Sequence, residues 1–259
     1  SGTPATTSGT YTLDIEARRP FTVDGATVNK AGDDAADFIV GSGTIAHREF
    51  VKTETCNNCH YNLSLHGGSR TKVTECVICH TAGALVDANS IRFADMVHKI
   101  HRGADLPNVK ATANGADPYT YAIGGADFSD VQFPYMPGGT GFNLQTRNCG
   151  VCHGGAAQAS EIYAGARITR ASCSACHDDI SFTDGKILNS ANATVIAGTL
   201  TTADLTSATY RTTPGGVSHV FADGSCVFCH GAGLTFAIAA VHLAPLWNPA
   251  NLNGITVVI

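Results

Sequence analysis

Residues 56–80 read CNNCHYNLSLHGGSRTKVTECVICH, and the two Cys-x-x-Cys-His groups that bracket this run decide how the chain folds. They are Cys56-Asn-Asn-Cys59-His60 and Cys76-Val-Ile-Cys79-His80. The group returns as Cys149-Gly-Val-Cys152-His153, Cys173-Ser-Ala-Cys176-His177 and Cys226-Val-Phe-Cys229-His230, so all 10 cysteines fall in one pattern. This spacing is the attachment motif of c-type haem. Two thiols three positions apart can each bond one vinyl group on a haem edge, and the adjacent His supplies the proximal nitrogen to iron. Zinc would match Cys pairs to a second ligand pair and gives no reason for five trailing histidines. A disulfide framework needs no His, and a redox dithiol occurs once, near a βαβ pattern. The reading is five covalently bound c-type haems, with His60, His80, His153, His177 and His230 as proximal ligands.

Composition agrees. Charged residues make up 14% of the 259, against roughly 25% in an average soluble domain, while hydrophobic residues stand at 44%. Disorder is excluded by that balance. A formal charge of −5 with 16 Lys plus Arg argues against nucleic acid as a partner. No apolar run is long enough to span a membrane. A Gly-rich chain that binds five haems can use porphyrin as much of its apolar core. The expected fold is a multihaem cytochrome c, mostly irregular, with short α-helices packed around the haems and minor β structure in an N-terminal arm.

Six histidines remain outside the motifs: His47, His66, His98, His101, His219 and His242. Five sixth ligands are needed if every iron is His/His coordinated. Met96 and Met136 could serve two haems at most, and would raise their potential. His98 and His101 lie in Ile91-Arg-Phe-Ala-Asp-Met-Val-His-Lys-Ile-His-Arg102, where Phe93, Met96, Val97 and Ile100 recur at helical spacing. Positions i and i+3 share a helix face, so both rings can point into one cluster and meet different irons. His66 follows the first motif closely, while His219 precedes the fifth and His242 follows it. His47, beside Arg48 and Glu49, reads as an ordinary polar histidine or as an extra ligand at a subunit junction.

Residues 1–50 form a strand and hairpin arm without cysteine. Tyr11–Glu16 alternates, and Asp24-Gly25 separates two apolar runs, a hairpin signal. Residues 51–259 form a pentahaem cytochrome domain, and the whole reads as a single domain. The stretch from 103 to 147 reads mostly as loop. The tail Gly254-Ile-Thr-Val-Val-Ile259 is an apolar strand that pairs within the protein or with another copy. Covalent haem attachment is completed outside the cytoplasm, so a leader removed before Ser1 is expected. With every cysteine taken by haem, no lipid anchor is expected.

The run Cys-Asn-Asn-Cys-His60, Leu65-His-Gly-Gly68, Cys-Val-Ile-Cys-His80 and Phe93-Ala-Asp-Met-Val-His-Lys-Ile-His-Arg-Gly103 resembles the OmcA/MtrC family of outer-membrane multihaem cytochromes. Cys-Ser-Ala-Cys-His-Asp178 and His219 ahead of Cys-Val-Phe-Cys-His230 fit as well. The resemblance spans about residues 45–243 and implies His66, His98, His101, His219 and His242 as distal ligands, with His47 left over. Members carry two pentahaem domains, each with a β-barrel domain; this chain resembles one pentahaem domain, and its front of 50 residues is shorter than a barrel.

The expected function is therefore extracellular electron transfer along closely spaced bis-His, low-spin haems. The partners are other redox proteins or extracellular acceptors such as metal oxides, with self-association, up to a haem filament, as a further expectation. The protein is expected to be exported to the cell surface or the extracellular space. The alternatives are a periplasmic shuttle to a terminal reductase and a multihaem reductase. The reductase needs an open axial position, whereas all five motifs end in His and distal candidates suffice for every iron. A non-enzymatic electron carrier is the reading.

Overall fold

The computed structural model describes residues 7–87, 89–113, 120–134, 146, 149–163, 170–178, 180–181, 186–187, 231–234, 237–238 and 242. The fifth motif, His219, Met136 and the apolar tail lie outside the described residues. The chain divides into two compact units: residues 1–84 with 150–159, and residues 85–149 with 160–259.

The first unit opens with a long antiparallel ribbon, β1 (Gly9–Val23) and β2 (Ala26–Val40), in the register Val23↔Ala26 to Gly9↔Val40. The turn is Asp24-Gly25, with φ of 48° and 80°. A two-residue hairpin whose turn matches strand twist needs positive φ at both positions, which Asp tolerates and Gly adopts freely. The expected hairpin is there, and its strands run 15 residues each, well beyond the alternating segment read from the sequence. α1 (Thr53–His60) and α2 (Val73–Cys79) follow. The start of α2 is fastened from both sides. Glu75 Oε2 accepts the backbone N–H of Thr71 and Lys72 at 3.3 and 3.2 Å, and Thr53 Oγ1 accepts that of Val73 at 3.0 Å.

The ribbon holds α2 through its polar face. Asp33 accepts the Thr71 backbone N–H at 2.8 Å and the Thr71 hydroxyl at 2.7 Å. Lys72 Nζ donates to the Asp33 carbonyl at 2.6 Å, and Arg18 donates to Ser69 Oγ at 2.7 Å. Glu16 pairs with both Arg18 and Arg70. Residues 150–159 complete the unit. Thr55 Oγ1 donates to the Cys152 carbonyl at 2.8 Å, Gln158 N–H donates to the Glu49 carbonyl at 3.0 Å, and the Glu49 carboxylate accepts Ala157 N–H at 3.0 Å.

In the second unit, a short hairpin β3 (Leu85–Val86) and β4 (Asn89–Ser90) leads into α3 (Phe93–Arg102). Asp95 fixes the entry to α3 by accepting from Ser90 Oγ at 2.8 Å and from Arg92 at 2.5 Å. Gly103, at φ 36°, ends the helix. A Cβ there would collide with the carbonyl oxygen of Val131, and would sit 2.7 Å from Val131 Cβ and 2.8 Å from the Phe128 carbonyl oxygen.

The stretch after Gly103 carries more structure than its composition suggested. It holds a 3-10 turn (Gly103–Asp105), α4 (Pro107–Ala113) and a hairpin of β5 (Ala122–Ile123) and β6 (Ala126–Asp127). Pro107 suits the first helical position because its missing N–H would have no helical partner there. Leu106 and Tyr121 are fully buried, and Tyr121 N–H donates to Ser129 Oγ at 2.8 Å. Helix α5 (Gly150–His153) belongs with the first unit, and α6 (Arg170–Ser174) and the antiparallel pair β7 (Ile180–Ser181) and β8 (Lys186–Ile187) belong with the second. No helix among the described residues is long and apolar enough to cross a membrane.

Candidate functional site

Four of the five Cys-x-x-Cys-His motifs are described, and each begins on a short helix or beside one. Cys56, Cys59 and His60 form the last turns of α1; Cys76 and Cys79 lie on α2 with His80 just past its end. Cys149 precedes α5, which carries Cys152 and His153, while Cys173 lies on α6 and Cys176 and His177 follow it. Helical spacing sets cysteines three apart on one face, where both can reach one edge of a flat ligand. In the first three motifs the leading cysteine is the more buried: Cys56, Cys76 and Cys149 are half-buried or buried, Cys59, Cys79 and Cys152 exposed. The Cys56 and Cys76 thiols point back to the Lys52 and Lys72 carbonyls at 3.5 and 3.2 Å. Burial pushes the Cys76 thiol up to about 11 and raises those of Cys56 and Cys176. A redox dithiol needs the opposite shift, toward thiolate.

The histidines carry the more specific geometry. The His66 and His80 rings lie with centres 6.0 Å apart, and those of His177 and His242 lie 6.4 Å apart. A metal–imidazole bond is roughly 2 Å, and a ring nitrogen sits about 1 Å from its ring centre. Two imidazoles on opposite faces of one iron therefore have centres about 6 Å apart. Both pairs meet that spacing, and each joins a motif histidine to one outside the motifs. The residues present fit a six-coordinate haem iron.

Tautomers are set by the backbone. His153 Nδ1 donates to the Phe50 carbonyl at 2.6 Å, His101 Nδ1 to Val97 at 2.8 Å and His242 Nδ1 to Ile238 at 2.9 Å. A carbonyl only accepts, so Nδ1 carries the proton and Nε2 keeps its lone pair for a metal. For His101 and His242 the acceptor lies four positions back in the chain, on α3 in the case of His101. The Phe50 carbonyl lies 103 positions from His153 and had no signal in the sequence. His66 sits at φ 52° ahead of Gly67 and Gly68, at 76° and 91°. Backbone N–H groups of Gly68, Ser69 and Arg70 all close on the Leu65 carbonyl, so a tight loop presents this ring.

His98 and His101 both lie on α3, one turn apart, as the periodicity predicts, and the His101 ring meets Phe133 edge-on at 5.7 Å. His47 lies elsewhere. Its Nδ1 is 2.6 Å from Asp37 Oδ2 on the ribbon, and its side chain is half exposed. The Thr12 hydroxyl and His47 together hold the Asp37 carboxyl below its ordinary range. The sequence reading also missed the carboxyl pair beneath the second motif. Burial and a hydrogen bond with Asp33 push Glu75 up to about 7.

Residues 48–243 match the family model described as outer membrane cytochrome MtrC/MtrF-like, domains II/IV. The multiheme cytochrome MtrC of Shewanella baltica (strain OS185) is 32% identical over 128 residues, covering 44% of this chain and 19% of the relative. The chain thus spans about a fifth of the length of that relative. The crystal structure of MtrC from Shewanella baltica OS185 aligns with a TM-score of 0.40 at 22% identity, over 75% of this chain and 27% of that one.

Proposed function

Because the chain belongs to the family of outer membrane cytochrome MtrC/MtrF-like domains II/IV, we propose that it is an electron-transfer domain that holds five c-type haems on its five Cys-x-x-Cys-His motifs. The observation that carries the reading is the spacing of His66 against His80 and of His242 against His177. Cys76 and Cys79 would hold one haem, with His80 and His66 as its iron ligands. Cys173 and Cys176 would hold another, with His177 and His242 as its iron ligands. Cys56 and Cys59, Cys149 and Cys152, and Cys226 and Cys229 would hold the remaining haems, with His60, His153 and His230 as motif ligands and His98, His101 and His219 as the candidates for the second ligand.

When bound, c-type haem supplies reversible one-electron exchange at low-spin iron. The chain supplies everything that tunes it. Carbonyls at Phe50, Val97 and Ile238 hold three imidazoles in the metal-binding tautomer. Placing His98 and His101 on one face of α3 brings two sites together on one rigid element. His47, tied to Asp37, stands outside the ligand set. We further assign the protein to the cell exterior, exchanging electrons with redox proteins or oxidised minerals.

The test combines intact mass with electron paramagnetic resonance of the oxidised protein. Five haems per chain and low-spin signals throughout are expected. His66→Ala and His242→Ala should each turn about one fifth of the iron high-spin, the share of one site among five. A haem count other than five, or an unchanged low-spin spectrum in either variant, would overturn the assignment.

A further inference from the structure

His153 differs from His101 and His242 in where its hydrogen-bond acceptor comes from. His101 and His242 donate to carbonyls four positions back, so ring and acceptor travel together. His153 donates at 2.6 Å to the Phe50 carbonyl, 103 positions away, and a different part of the chain must bring that oxygen to the ring. The bond is shorter than the usual N–H···O range. What keeps the carbonyl there lies wholly within the first unit.

Phe50 is held from both sides. Ahead of it, Gln158 N–H donates to the Glu49 carbonyl at 3.0 Å, the Gln158 side-chain oxygen accepts the Glu49 N–H, and Gln158 Nε2 donates to the His47 carbonyl at 3.3 Å. The Glu49 carboxylate returns the grip by accepting Ala157 N–H at 3.0 Å. Beyond Phe50, Thr55 Oγ1 lies 2.8 Å from the Cys152 carbonyl and 2.7 Å from that of Lys52. Both ends of the Gln158 amide are engaged on one segment, which an apolar side chain of the same length could not reproduce. The residue is half-buried, five positions beyond His153.

Given the haem assignment above, on which this rests, we infer that Gln158 and Glu49 are positioning residues that set the reduction potential of the haem held by Cys149, Cys152 and His153. They act by keeping the Phe50 carbonyl on His153 Nδ1. Iron at Nε2 draws charge from the ring, and ferric iron draws more than ferrous, so Nδ1–H is the stronger donor when the iron is oxidised. A bond that strengthens in the ferric state favours that state and lowers the potential. Release of the clasp lets the carbonyl drift, and this haem becomes easier to reduce. Water entering a loosened site acts in the opposite direction, because solvent stabilises the more highly charged ferric centre. The sign of the change therefore separates a lost hydrogen bond from simple loosening. Haems ligated by His101 and His242 keep their acceptors and hold their potentials.

Paramagnetic NMR of the haem methyl groups, followed through a redox titration of the haem-loaded, full-length chain, reads each potential separately. Gln158→Met keeps the side-chain length and removes both amide contacts, and Glu49→Ala reaches the same clasp from the other side. In each variant one haem should favour the ferrous state by at least about threefold, or roughly 28 mV at ~59 mV per tenfold, while the others hold. The Nδ1–H of its motif histidine should exchange faster with deuterium. Glu49→Gln keeps an acceptor for Ala157 and should stay within about 1.5-fold of wild type. A fall instead of a rise, a shift shared by several haems, or Glu49→Gln displaced as far as Glu49→Ala would overturn the proposal. Low-spin haem at every motif with unmoved potentials in both variants sinks the proposal alone. A wild-type chain without low-spin haem at Cys149 and Cys152 sinks the haem assignment and the proposal together.

Discussion

Glu75 is the residue whose replacement tests the packing of the first unit most sharply. It is almost wholly buried, and its Oε2 accepts two backbone N–H groups at the start of α2. Its Oε1 is buried with no donor aimed at it. Protonated, the Glu75 carboxyl donates to Asp33; ionised, it faces another carboxylate. Burial and Asp33 together therefore raise Glu75 from 4.5 to about 7. Burial works against ionisation of Asp33 as well, but hydrogen bonds from Glu75 and Thr71 and the charge of Lys72 hold it below its ordinary value. The pair shares one proton. Since the folded state binds the Glu75 proton more tightly than the unfolded chain, the group's contribution is complete below pH 4.5 and is lost as pH rises through 7. At 1.36 kcal/mol per pH unit, the loss totals about 3 kcal/mol, most of it between pH 5 and pH 8. Glu75→Gln keeps the shape, donates permanently to Asp33 and cannot ionise. In denaturant unfolding of the haem-loaded protein, followed by far-UV circular dichroism, the variant should approach wild type at pH 5. It should exceed wild type by about 2–3 kcal/mol at pH 8. A stability difference that stays flat across that range would refute the shared-proton account.

Other perturbations separate the parts of the molecule. Gly103→Ala sets a Cβ against Val131 and the Phe128 carbonyl at positive φ. It should cost about 2 kcal/mol or more in the same unfolding assay, and a cost under about 0.5 kcal/mol would show that the turn relaxes freely. His47→Ala removes a half-exposed ion pair with Asp37. It should change stability by less than about 1 kcal/mol and leave every iron low-spin; a new high-spin signal would make His47 a ligand after all. Asp95→Ala deprives Ser90 and Arg92 of their acceptor at the mouth of α3. A loss of about 1 kcal/mol is expected from this first-turn position, and an unchanged midpoint would assign the entry of α3 to packing alone.

Local chemistry was readable from the residues. Cys-x-x-Cys-His carries its meaning in five positions, Asp24-Gly25 marks a turn because of what two backbone angles require, and the apolar spacing of Phe93, Met96, Val97 and Ile100 describes α3. What stayed hidden depends on residues far apart in the chain. Alternation along β1 announces two faces without saying which one meets the rest of the protein, and here the polar one does. Asp33 and Glu75 are ordinary acids until the ribbon lays one against the other. The Phe50 carbonyl that orients His153 is a backbone atom, so no side chain advertises it. Composition also misjudged the stretch after Gly103, where Pro107 begins α4 and Tyr121 packs out of solvent.

Residues 150–159 have one more consequence. They return to the first unit and join partners between 97 and 111 positions earlier. No single cut in the chain can release that unit whole. A fragment ending at Ala84 keeps the ribbon, α1 and α2 but strips Glu49, Phe50 and Thr55 of what they hold. During synthesis the same dependence imposes an order. The early segments must wait for about a hundred further residues before their last contacts close.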